Sequence, residues 1–76
     1  MTKDELKIKL IENGIKNLNE FGYDNVNSEN IKSDLIYANM FQSMLKENLG
    51  HSVLIDDAIN ELLTEVKELL SKNDLG

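Results

Sequence analysis

Apolar residues return at every third or fourth position in three separate runs of this chain, and no proline interrupts any of them. That spacing puts side chains on one face of an α-helix, and it leaves little room for any other reading. The first run is Leu6, Leu10, Ile11, Ile15 and Leu18, with Ile8 at one edge. The second is Tyr37, Met40, Phe41, Met44 and Leu45, which reads as core, with an adaptable binding surface of two methionines beside two aromatics as the alternative. The third is Ile55, Ile59, Leu62, Val66 and Leu69, broadened by Ala58, Leu63 and Leu70. A two-stranded coiled coil needs only a narrow seam, so this breadth predicts a face that meets two neighbours. The expected fold is all-α: a small three-helix bundle-like domain with short loops, residues 1–76 as one unit, and a short extra helical turn around 28–32.

The starts and stops agree with that plan. Thr2 and Glu5 have the spacing of a capping box, in which each side chain satisfies the other's free backbone amide. Gly14 falls on the apolar side of the first helix, and the reading is one continuous helix with a close packing contact there, with a kink at "ENG" as the alternative. The stretch "NEFGYDNVNSENI" reads as a joint. Gly22 supplies the left-handed residue that ends a helix, which brings Tyr23 back towards Leu18. Asn27 caps a new start, flanked by Val26 and Ile31 at the spacing of a hydrophobic staple. On this reading Phe21, Tyr23, Val26 and Ile31 all pack inward. A calcium loop beginning at Asp24 would need glycine sixth and glutamate twelfth, where this chain has Glu29 and Leu35. Ser33 is a second candidate cap, ahead of the middle helix, Gly50 is that helix's stop, and Ser52 can cap the third.

Composition narrows the function classes. The chain has no cysteine, which removes disulfides and thiolate metal sites. Its net charge is −6 and every basic side chain is a lysine. Nucleic-acid binding draws on phosphate neutralisation and arginine readout, so this balance disfavours it. No apolar run approaches the roughly 18 residues that span a membrane. The charged start "MTKDELKIKL" lacks a signal peptide's apolar stretch, and a cytoplasmic location is expected. A domain of this size buries only about 60% of its unfolded surface, which makes support from a partner or from homo-oligomerisation an expectation.

Chemistry-bearing groups are sparse. His51 is the sole histidine, followed by Ser52, Asp56 and Asp57. Adjacent Ser and His side chains do not reach each other productively, and no oxyanion loop is visible, so His51 reads as a residue just past a helix end, suited to the dipole there. There is no glycine-rich phosphate loop and no His/Cys metal spacing. No catalytic, cofactor-binding or metal-binding residue is assigned, and no enzyme activity is expected. The distinctive surface feature is acidic. Asp57, Glu61, Glu65 and Glu68 fall within about 80° of one another at about 100° per residue, which predicts an outer stripe on the third helix. Lys67 and Lys72 offset it locally, with Glu68–Lys72 one favourable pair. The stripe reads either as a solvated face or as a docking face for a basic partner. Lys7 stands near the middle of the first helix's apolar face and is expected to snorkel to solvent, with a carboxylate of the bundle or of another subunit as the alternative.

The run "GIKNLNEFGYDNVNSENIKSDLIYANMFQSMLKEN" resembles small bacteriophage and prophage proteins with no assigned chemistry, over roughly the first two helices. The pieces that carry the resemblance are "EFGY", Val26–Asn27, "ENI" and "SML". It implies a phage origin and, for a small accessory protein, action on a host protein in the host cytoplasm. The leading functional expectation is therefore a non-catalytic protein-binding module that modulates or inhibits a host protein, docking through Asp57, Glu61, Glu65 and Glu68. The alternatives are a nucleotide-like small-molecule binder formed between subunits, with Lys7 or Lys9 meeting the anion, and an assembly component of a phage particle.

Overall fold

The computed structural model describes residues 1–75, with side chains to Lys72. Helix α1 runs Lys3–Glu20, α2 is the single turn Asn30–Ser33, α3 is Leu35–Glu47 and α4 is Val53–Leu75. No strand forms among the described residues. The all-α expectation holds, with three long helices and a short extra turn that falls at 30–33.

The local signals set the ends. Thr2 Oγ1 accepts from the Glu5 amide at 3.2 Å, and Glu5 Oε1 accepts from the Thr2 amide at 3.3 Å, closing the capping box. Helix α1 is continuous through Gly14. It ends at a left-handed Gly22, φ 101°, where the Gly22 amide donates to the Asn19 carbonyl and the Tyr23 amide to the Leu18 carbonyl, both at 3.0 Å. This paired bonding is the Schellman stop that the sequence predicts. In the joint, Asn27 Oδ1 accepts from the amides of Glu29 and Asn30 at 2.9 Å, while Asn30 Oδ1 accepts from the Asn27 amide at 2.8 Å. The two asparagines therefore cap each other's backbone, with Val26 and Ile31 buried on either side as the staple requires.

Three local expectations need correction. Ser33 does not cap α3. Its hydroxyl donates back to the Glu29 carbonyl at 3.1 Å because α2 runs on through it, and the extended residue that a cap needs is Asp34, whose Oδ1 accepts from Ile36 and Tyr37. Gly50 does not itself stop α3. That helix ends at Glu47, and Gly50, φ 93°, lies farther along the link and donates to Asp56 Oδ1 at 2.8 Å. Phe21 does not pack inward and is 70% exposed. The Schellman turn directs the next residues back to the core, which leaves the ring at the helix cap outside.

The core is Leu18, Val26, Ile31, Ala38, Phe41, Leu45, Ala58, Ile59, Leu62 and Val66, with no buried polar or charged side chain among the described residues. Helix α4 packs against each of the other three, whereas α1 and α3 meet along a lighter contact. Tyr23 and Tyr37 bridge the joint to α3 edge to face, their ring centroids 5.6 Å apart.

Candidate functional site

The acidic stripe of α4 does not lie wholly on an outer side. Ala58 and Leu62 are buried, and Glu61 and Glu65, three residues further on, flank that buried seam where α1 and α2 cover it. Lys3 pairs with Glu61. Lys7 Nζ lies 3.5 Å from Glu61 Oε1 and 2.9 Å from Glu65 Oε2, and Lys32 Nζ lies 3.5 Å from Glu65 Oε1. Glu65 therefore ties α1 and α2 to α4 through one carboxylate. Its Oε2 is shielded from water and has the Lys7 ammonium 2.9 Å away as its counter-charge. Asp57 and Glu68 stay exposed.

Two further corrections follow. Lys7 does not snorkel freely, since both of its carboxylate partners stand within reach across the helix interface. The stripe's counter-charges are Lys3, Lys7 and Lys32 from α1 and α2, and among the described residues none of its ion pairs involves Lys67 or Lys72. Sequence reasoning did not single out Lys3 and Lys32. The signal for Lys3 was present, because Lys3 and Lys7 are one helical turn apart, as are Glu61 and Glu65, so two cations can face two anions in register.

The electrostatics agree with the geometry. The Lys7 ammonium beside Glu65 is the largest influence lowering that carboxyl's pKa, and Lys3 is the largest for Glu61; partial desolvation opposes both. In return Glu65 raises the pKa of Lys7 and Glu61 that of Lys3. All four groups hold their charged forms more firmly than free side chains do. The shallow groove over them, about 590 Å³, is lined by Lys3, Lys7, Asp57, Asn60, Glu61, Thr64 and Glu65. Both of its lysines already face carboxylates, so an anionic ligand would have to displace these pairs. Among the described residues no three His, Cys, Asp or Glu side chains converge as a metal-holding set. No described helix is long and apolar enough to cross a membrane.

His51 is exposed in the link between α3 and α4. Its neighbours serve the backbone: Ser52 Oγ accepts from the Ile55 amide at 3.1 Å as the α4 cap, and Asp56 accepts from Gly50. Together with Lys9, Leu6, Leu10, Asn13, Asn48 and Ile55, His51 lines a groove of about 320 Å³.

A third groove lies between α1 and α3. Asn17, Glu20 and Phe21 form one wall, Met40, Ser43, Met44 and Glu47 the other, and they enclose about 470 Å³. The two methionines are half-buried, and the Asn17 amide reaches Met44 Sδ at 3.9 Å. Reading the second apolar run as core was right for Phe41 and Leu45, which are buried, and only half right for Met40 and Met44, whose outer sides form this groove.

Comparison of the chain with protein-family models, with curated proteins and with solved structures returned no match.

Proposed function

We propose that this chain is a non-catalytic protein-binding module. One observation carries the reading: large apolar side chains stand in solvent around a core that is complete without them. Val53 is 79% exposed, Phe21 70%, Leu35 62% and Ile36 60%. Scattered single apolar residues need no explanation, but an aromatic and two methionines along one groove, and Leu49, Val53 and Leu54 at the α3–α4 corner, are the kind of surface that a protein partner covers. The groups that a hydrolytic centre would recruit, Ser52 and Asp56, are engaged in capping backbone amides.

The resemblance to small phage proteins supports a phage-encoded accessory protein that modulates a host protein in the host cytoplasm. The net charge of −6 favours a basic partner, since complementary charge speeds encounter and selects orientation. Of the four acidic residues of the stripe, Asp57 and Glu68 are the ones free to meet it, because Glu61 and Glu65 are engaged within the domain.

Affinity capture from host lysate with the tagged chain, quantified by mass spectrometry, tests the reading. A protein retained in stoichiometric amount, with amide-exchange protection at the exposed apolar positions, is the expected result. Retention of nothing above a control bait, or protection confined to polar faces, would reject it.

A further inference from the structure

From the groove between α1 and α3 we infer the class of partner: a basic amphipathic helix laid along Phe21, Met40 and Met44. The inference rests on the protein-binding reading and adds the site and the chemistry of what fills it. The groove's floor is apolar, its sides carry the neutral Asn17 and Ser43, and its charged residues are Glu20 and Glu47. No lysine lines it, and neither glutamate belongs to the ion-pair cluster that engages Glu61 and Glu65. Two carboxylates that join no ion pair among the described residues, beside an apolar floor, are complementary to lysine or arginine flanking apolar anchors. A second copy of this chain would instead bring more carboxylates to a surface that already carries net charge −6.

The shape agrees. From Met40 to Glu47 the α3 wall spans two helical turns, about 10 Å at roughly 1.5 Å per residue, which accepts anchors at i and i+3 or i+4 of an incoming helix. Met40 and Met44 are unbranched and polarisable, so the floor adapts to anchors of different shape. Phe21 is held at the rim by the Schellman turn and can close over an anchor without disturbing the core.

The test uses isotope-labelled full chain and two short acetylated peptides with leucine at i, i+3, i+4 and i+7, one filled out with lysine and one with glutamate. With the lysine peptide, NMR shifts should centre on Asn17, Phe21, Ser43 and the methyls of Met40 and Met44, and the glutamate peptide should not bind. F21S and E20K should each weaken binding about tenfold, while I8S, altered at an exposed apolar residue of α1 outside the groove, should leave it unchanged. Phe21 is exposed, so F21S should keep the parent's circular dichroism, and E20K tests the groove without touching its apolar floor. Shifts centred on the α3–α4 corner or on α4, equal binding of both peptides, or indifference to both F21S and E20K would overturn the inference. So would light scattering that shows a dimer made monomeric by F21S, since a second copy would then be the occupant. If lysate capture succeeds and is unaffected by F21S and E20K, this site is wrong and the protein-binding reading survives; if capture fails, that reading itself has failed.

Discussion

The ring of Phe41 lies against the bare backbone of Gly14. A Cβ at Gly14 would fall 2.7 Å from Phe41 Cδ1, 2.8 Å from Cε1 and 2.9 Å from Ile31 Cδ1. Phe41 and Ile31 are both buried, so neither can swing into solvent to make room. Alanine would gain about 1 kcal/mol of helix propensity over glycine, while overpacking of this kind costs about 1–3 kcal/mol. G14A should therefore lower the urea midpoint despite being the better helix former. A midpoint at or above the parent's would show that the Phe41 ring can shift at small cost.

Gly22 presents the opposite case. Nothing lies within 4 Å of where its Cβ would be, but its φ is 101°. The cost of G22A is then backbone strain alone, about 1–2 kcal/mol. Asparagine tolerates the left-handed region better, so G22N should lose less than G22A. Paired thermal melts of the two variants check the order, and equal losses would show that strain is not what Gly22 relieves.

The Lys7–Glu65 contact is measurable by a double-mutant cycle with K7M, E65Q and both together. A partly exposed pair of this kind typically couples by about 0.2–1 kcal/mol, screened by solvent. The coupling should be positive and should shrink as salt rises. Zero coupling at low salt would mean that the two side chains only share the space. Each member has a second counter-charge, Glu61 for Lys7 and Lys32 for Glu65, so the cycle and neither single variant isolates the pair.

The pH dependence follows from the same pairs. Glu61 and Glu65 have folded pKa values below the ordinary carboxylate value, so their contribution is full above that ordinary value and is lost as pH falls through the lowered folded one. Lys3 and Lys7 have raised values, so their contribution is full below the ordinary lysine value and is lost as pH rises through the raised one. Protonation of the other carboxylates meanwhile relieves the repulsion of a chain at net charge −6, which obscures the parent's own acid limb. The stability difference between parent and K7M isolates the pair: it should be flat across neutral pH and close up in acid. A difference that persists below the carboxylate range would assign it to packing of the lysine stem instead.

The sequence foretold structure wherever one local rule decided the outcome. Thr2 with Glu5, Gly22 with Tyr23, and Asn27 between Val26 and Ile31 all act within a few residues, and all formed as their spacing requires. Readings failed where two neighbouring residues compete for one role or where distant elements meet. Ser33 and Asp34 are both competent caps, and the choice between them depended on how far α2 ran. The fate of Glu61 and Glu65 depended on which face of α1 turned towards α4, which periodicity along one helix does not reveal. The groove at Met40 and Met44 stood only as the alternative to a core reading for a related reason. A helical stripe marks a side chain as facing inward, but not whether the neighbouring helix is close enough to cover it.

Helix α4 supplies one wall of the core, through Ile59, Leu62 and Val66, for everything that precedes it in the chain. During synthesis, therefore, Leu18, Ile31, Phe41 and Leu45 emerge from the ribosome with no lid. A nascent chain halted before Val53 leaves these core residues uncovered, and the domain sets only after Ile59, Leu62 and Val66 of α4 reach side chains translated well before them.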